Sequence, residues 1–370
     1  MPLCVADIGE EELQAMREAT LSGWLTEGPS NHELEAGFAR LLGVQHAVSC
    51  NSGTAALMLA LMAKGIRGEV IVPSFTFVAS VNAIVVAGAT PVFVDVHYDT
   101  GNLDAGQLES LITPRTEAIL AVHFAGHAAR LDELERIADR HGLALIEDCA
   151  ESLGGKFRGQ PLGSFGTGCF SFYPSKNMTT GEGGMLVTRD AAVARRARSI
   201  AAHGIEPPPP DRFWYRSTSF PGFNFRLSNV LAAMGVVQLR KLASMNQRRR
   251  LHAAAFNSDL KQSGITLPVE QPDCEHVYQM YTVKVDAPVR DTIVSGLRER
   301  GVGASVHFDP PAHLQYYYRE RYPGVSLPVT EKLARSILTL PLFPGMTVEQ
   351  RGLVADALRE ELTRLQQVKT

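Results

Sequence analysis

Between positions 70 and 94 the sequence carries no Asp, Glu, Lys or Arg. A charge-free run of that length is able to cross a hydrocarbon layer of roughly 30 Å at a rise of about 1.5 Å per residue. Its other residues argue against that. Pro73, Ser74, Thr76, Ser80, Asn82, Gly88, Thr90 and Pro91 interrupt the run, and the two prolines, which lack a backbone N–H and clash inside a helix, cut it into three. The pieces read as a short apolar strand before Pro73, a helix over 77–87 and a valine-rich strand over 91–94. Strand, helix, strand accounts for the run better than a membrane span. The chain reads as soluble.

The same alternation organises the first half. Helical patterns at 10–21 and 30–42 precede a strand at 46–50 and a helix of strong formers at 54–64. Further strands are expected at 69–72, 91–95, 118–123, 144–147, 167–171 and 184–188, with a helix at 131–141 that ends at Gly142, a natural C-cap. Strands alternating with amphipathic helices argue for a largely parallel sheet covered on both faces. After an irregular stretch at 204–222, a long helix is expected over 228–261. It contains Arg248, Arg249 and Arg250 in a row, which on one helix reads as a solvated face. Beyond Pro268, strands at 276–285 and 302–308, helices at 290–300 and 330–337, a closing segment at 338–342 and a last helix at 347–366 suggest a smaller α+β domain. The 370 residues therefore divide, on this reading, into 1–240 and 241–370.

Charge and cysteine content narrow the function. Thirty-six Lys and Arg against 39 Asp and Glu leave a net charge of −3, which disfavours nucleic acid as the main partner but leaves a small anionic ligand open. Cys4, Cys50, Cys149, Cys169 and Cys274 are dispersed and form no paired motif, which fits a reducing cytoplasm better than disulfides or a metal site.

Three segments carry candidate chemistry. Asn51-Ser-Gly-Thr54 lies between a strand and a helix, where unpaired N–H groups and the helix dipole offer either an ordinary cap or an anion site. Glu147-Asp148 ends an apolar strand, at the edge of the sheet where ligands bind in open parallel sheets; Asp148 there could serve a metal, a ribose or a protonated ring nitrogen, or simply anchor a loop. Lys176 sits in a loop rich in Ser, Thr and Gly between two apolar strands, a poor place for a packing residue, so it is either an amine nucleophile or an ordinary surface lysine.

Together with other segments these motifs resemble one family from end to end. Ser22-Gly-Trp-Leu-Thr-Glu-Gly-Pro29, Val72-Pro-Ser-Phe-Thr-Phe-Val78, Gly88-Ala-Thr-Pro-Val-Phe-Val-Asp95, Ile112-Thr-Pro-Arg-Thr116, His203-Gly204, Gly222-Phe-Asn-Phe-Arg226, Val306-His307 and Leu340-Pro-Leu-Phe-Pro344 occur in the same order. The chain is similar to the DegT/StrS sugar aminotransferases, which depend on pyridoxal 5′-phosphate (PLP). The resemblance implies an α/β fold of the fold-type I class: a large domain with a mostly parallel seven-stranded sheet between helices, and a smaller C-terminal α+β domain.

It also implies roles. Lys176 matches the lysine that holds the cofactor as a Schiff base and shuttles a proton, and Asp148 the carboxylate that pairs with the pyridine nitrogen. Phe77 matches the ring-stacking position. Gly53, Thr54 and Ser171 match the phosphate-binding positions. Asn224 matches a segment that reaches a neighbouring subunit's site, which implies a homodimer, with Arg226 a second candidate in that segment. Glu151 departs from the Gln or His common in relatives and is carried as a cofactor contact. His123, His307 and His313 are each either substrate-facing or structural. No metal is implied. The activity implied is ping-pong transfer of an amino group from L-glutamate to a nucleotide-linked keto sugar, with a 4-keto sugar foremost. A cyclitol ketone or a 4-keto pentose is an alternative acceptor, and a non-catalytic PLP- or sugar-sensing regulator an alternative role.

Overall fold

The structure, a computed structural model, describes residues 1–368. Its centre is a seven-stranded sheet built from β1 (His46–Cys50), β2 (Glu69–Pro73), β3 (Thr90–Val94), β4 (Thr116–Val122), β5 (Ala144–Asp148), β6 (Thr167–Ser171) and β7 (Gly184–Thr188). Their spatial order is β1-β7-β6-β5-β4-β2-β3. Strands β3, β2, β4, β5 and β6 run parallel, and β7 runs antiparallel to both of its neighbours.

The period of two along each strand decides which helices cover which face. Ile71, Ile119, Leu145 and Phe170 enter one core with α1 (Pro29–Leu42), α2 (Leu131–His141) and the first half of α3 (Asn229–Leu260). Val70, Val72, Leu120, Ile146 and Cys169 enter the other with α4 (Gly53–Lys64), α5 (Val78–Val86) and α6 (Ala191–Ala201). The uncharged run is thus β2, α5 and β3. Val70, Ile71 and Val72 are fully buried, as expected for strands covered on both sides. Among the described residues no helix is long and apolar enough to cross a membrane.

A third core gathers Ala253, Phe256 and Leu260 from the far half of α3 with Tyr281, Val283, Ile293, Leu338 and Leu358. Here Tyr281–Lys284 pairs antiparallel with Ile337–Leu340. Two strand expectations shrink in this region. The segment 276–280 crosses toward the large sheet instead, with Gln279 N–H donating to Ala125 O and Tyr278 at φ 44°, so the strand begins only at Tyr281. Over 302–308 only Ser305 bridges to Thr339, because Val306, His307 and Phe308 turn away to line a cavity. The arginine run also departs from a solvated face. Arg248 pairs with Asp7 and Arg250 with Glu270, whereas Arg249 is 1% exposed and donates to the carbonyls of Gln279 and Leu342.

Candidate active site

A cavity of about 690 Å³ opens beyond the carboxyl ends of the parallel strands, with the 306–310 segment forming part of its wall. That is the place an open α/β sheet provides for a ligand.

Its floor comes from the end of β5. Alternation sends Glu147 and Asp148 to opposite faces of the sheet, and their fates diverge. Asp148 lines the cavity. Its Oδ2 accepts from Ser80 Oγ at 2.7 Å and its Oδ1 from Ala150 N–H at 3.1 Å. Burial is the largest influence on the carboxyl and pushes its pKa up despite those bonds. Ser80 is presented by the first turn of α5 and is braced by Thr76 Oγ1 at 2.8 Å. These two hydroxyls are among the polar interruptions of the uncharged run. Their spacing of four was a readable signal, since it puts them on one side of a helix start.

Glu147 faces the other way and is a structural anchor. Its oxygens accept from the N–H groups of Gly163, Phe165 and Gly166 and meet His123 Nε2 at 3.2 Å. His123, fully buried, also accepts from Ala129 N–H. It follows Val122 on β4 by one residue, and that single step turns it away from the cavity. The histidine therefore contradicts a substrate-facing placement. His123, Glu147 and Cys149 bring ligand atoms within 4.8 Å of one another, but the carboxylate is already saturated by backbone donors.

One wall is the start of α4. Ser52 caps this helix, its Oγ accepting from Ala55 N–H at 3.1 Å. The N–H groups of Gly53 and Thr54, in the first turn, have no partner within the helix and carry its positive dipole end. Gly53 is there for clearance: a Cβ would lie 2.7 Å from Ser171 Cβ at the end of β6. Gly53, Thr54 and Ser171 thus form a tight polar cradle on the cavity wall.

The opposite wall carries Lys176. The chain from β6 to β7 is a long connection that folds back on itself, with Thr180 N–H and Thr179 Oγ1 both donating to Phe172 O. Asn177 Nδ2, donating to Asn246 Oδ1 and Val277 O, ties it to α3 and the 277 segment. Lys176 lies between these tethers, lines the cavity and has its Nζ 3.4 Å from Glu151 Oε1. Phe77, the N-cap of α5, presents its ring at 61% exposure, 6.4 Å from the Phe308 ring.

The remaining expected residues separate. His307 lines the cavity, with Nδ1 2.8 Å from Thr339 Oγ1, and burial lowers its pKa so that it is neutral near pH 7. His313 does not reach the cavity; it is buried with Nδ1 2.6 Å from Ser74 Oγ and Nε2 3.5 Å from Glu331, which fastens the 306–315 wall to the end of β2. Asn224 and Arg226 lie outside the cavity of their own chain. Asn224 is exposed beside Asn51, whose Nδ2 donates to its carbonyl, and Arg226 Nε donates to Asn224 Oδ1. Leu3, Cys4, Gln279 and Gln315 also line the cavity. No local pattern marks these four, because each arrives from a distant part of the chain.

A family model described as the DegT/DnrJ/EryC1/StrS aminotransferase family matches residues 6–359. The chain belongs to that family. Solved structures agree over almost the whole length. DesV of S. venezuelae, determined in complex with a ketimine intermediate, is 40% identical over 95% of this chain and 94% of its own, with a TM-score of 0.89. PseC of Helicobacter pylori, an aminotransferase involved in pseudoaminic acid biosynthesis, is 27% identical over 98% and 99%, with a TM-score of 0.93. NtdA of Bacillus subtilis, with bound cofactor PMP, is 29% identical over 96% and 82%, with a TM-score of 0.88. This member of the DegT/DnrJ/EryC1/StrS family is a PLP-dependent sugar aminotransferase with the fold-type I architecture. The cavity's donor set fits the cofactor. A cradle of helix N–H groups suits a phosphate, a buried carboxylate suits a ring cation, and an amine lines the same cavity.

Proposed function

We propose that this family member moves an amino group from L-glutamate to a keto sugar carried on a nucleotide, foremost a 4-keto sugar, the two substrates using one cavity in turn. The observation that carries this reading is the convergence of Lys176, Asp148 and the α4 cradle on a single cavity. When bound, PLP supplies an electron sink that lets the amino-bearing carbon give up a proton. The chain's own residues do the rest.

Gly53 and Thr54 N–H with Ser171 Oγ hold the phosphate and fix the ring's direction. Asp148, held by Ser80 and Ala150, keeps a proton on the ring nitrogen by facing it as a carboxylate. Phe77 would cover the ring and exclude water from it. Lys176 Nζ holds the cofactor between turnovers and, once released, takes the proton from the substrate carbon and returns it. His307 is neutral and accessible in the cavity, so it serves as a hydrogen-bond partner for the acceptor sugar. A single diphosphate needs only a few donors, which the net charge of −3 permits. In the same reading two copies pair so that Asn224 and Arg226 complete the partner's site, the units divide near residue 240, and the enzyme works in the cytoplasm.

A panel of nucleotide-linked keto sugars and cyclitol ketones, scored for amine formation with L-glutamate, tests the substrate. Amine formed from none of the nucleotide-linked sugars would refute it. Borohydride should fix the cofactor to Lys176 and leave Lys176→Ala unlabelled, and sedimentation should give a dimer.

A further inference from the structure

Glu151 occupies an awkward position for an acid. It shares the cavity floor with the buried Asp148 and is itself only 7% exposed. An uncompensated carboxylate there is costly. The structure shows how its two oxygens are satisfied. Oε2 accepts from Ala125 N–H at 2.8 Å. Ala125 sits at φ 56° in a tight turn whose next residue, Gly126, has no room for a Cβ beside Glu151 O, so the donor is aimed by the backbone and pins the carboxyl. Oε1 is left facing Lys176 Nζ at 3.4 Å.

We propose that Glu151 is the counter-ion that positions Lys176 whenever the lysine is not joined to cofactor. The proposal rests on the reading of Lys176 as the cofactor-bearing lysine, and gives its free state a place. Lys176 is held as an ammonium against Glu151, on the cofactor's side of the cavity, instead of swinging into solvent. Other titratable groups on the cavity lining are Cys4, Asp148 at the end of β5, Tyr173 and Glu182, with His307 and Asp309 from the 306–310 wall. Among the described residues, Glu151 is the one acid whose carboxylate comes within 4 Å of Lys176 Nζ.

The pair has a measurable consequence. To capture the cofactor's aldehyde, the ammonium must first lose a proton to solvent; the nitrogen then adds to the carbonyl carbon and one water leaves. A neighbouring carboxylate favours the ammonium and so moves capture to higher pH. Glu151→Gln keeps the volume and the acceptor for Ala125 N–H and removes only the charge. The full-length protein, stripped of cofactor, is mixed with PLP between about pH 7 and 11, a window that spans the ordinary lysine value. Growth of the visible band is followed, and the product is fixed with borohydride and mapped to Lys176.

The pH midpoint of the capture rate should fall by about one unit or more in Glu151→Gln, equivalent to roughly tenfold faster capture at pH values below it. Glu151→Asp keeps the charge but withdraws it, and should give an intermediate midpoint. A purely structural role would change the unfolding temperature or the maximal rate and leave the midpoint in place. A Glu151→Gln profile that superimposes on wild type, or moves to higher pH, overturns the proposal. Should that variant not fold, a Glu151→Asp midpoint equal to wild type overturns it. If wild type itself captures no PLP at Lys176, the proposed function falls first and takes this inference with it.

Discussion

Replacing Asp148 by Asn should act in opposite directions on the fold and on the cofactor. In the stripped protein the carboxyl is buried and its pKa is pushed up, burial being the largest cause. Asparagine fits the same space: Oδ1 continues to accept from Ala150 N–H, while the Ser80 hydroxyl, already paired with Thr76, rotates to accept from Nδ2. Both hydrogen bonds survive, so the change in stability near the unfolded pKa stays within about 1 kcal/mol. The pH dependence then has a definite sign. The folded pKa lies above the ordinary 3.8, so between the two values the native state holds a proton that the unfolded chain has lost. Wild-type stability therefore falls as pH rises through that window and is flat above it. The Asn variant lacks the loss, and its relative stability should grow from acid to neutral pH.

With PLP bound, the balance reverses. Taking one partner from a buried charge pair costs about 3–5 kcal/mol, which is roughly 10²- to 10⁴-fold in affinity. Thermal unfolding of the stripped proteins at several pH values, with fluorescence titration of PLP at one, measures both halves. An Asn variant that binds PLP as tightly as wild type would refute the pairing of Asp148 with the ring. A stripped Asn variant destabilised by more than about 3 kcal/mol would refute the hydrogen-bond exchange, since that loss implies an unpaired buried group.

Three further substitutions separate the cradle, the stacking ring and the anchor. Gly53→Ala places a Cβ 2.7 Å from Ser171 Cβ; the overpacking should cost about 1–3 kcal/mol and weaken both PLP and inorganic phosphate, read by competition titration. Phe77→Ala removes a ring that is 61% exposed, so unfolding should move by less than about 0.5 kcal/mol while PLP affinity falls about fivefold, the equivalent of about 1 kcal/mol of ring stacking. Glu147→Ala orphans three backbone N–H groups and His123, and should cost about 3–5 kcal/mol in denaturant unfolding even though Glu147 does not line the cavity.

Much of the large sheet was legible because period and breakers are local. Alternating apolar runs, Pro73, Pro91 and Gly142 placed β2, α5, β3 and the end of α2 to within a residue or two. The smaller core was read less well. Val302, Ala304 and Val306 alternate as a strand would, yet only Ser305 finds a partner. Strand pairing depends on a neighbour that local pattern does not name. Arg249 shows the same limit, since its two flanking arginines find acids nearer the surface while a helix turn carries it under the Gln279 and Leu342 carbonyls.

The site divides along the same line. Sequence by itself determined which residue types were available: a lysine in a polar loop, a glycine before a helix, and two acids at a strand end. Only tertiary structure decided that Asp148 meets the cavity and Glu147 the backbone, because facing on a strand is set by which side the helices leave open. It also decided that His307 enters the cavity while His123 and His313 brace its surroundings, and that Glu151, an odd residue in the sequence, has Lys176 for a partner. Each of those outcomes depends on distances between separate segments, 25 residues apart for Glu151 and Lys176 and 239 for Ser74 and His313. Such distances exist only once those segments have packed against one another.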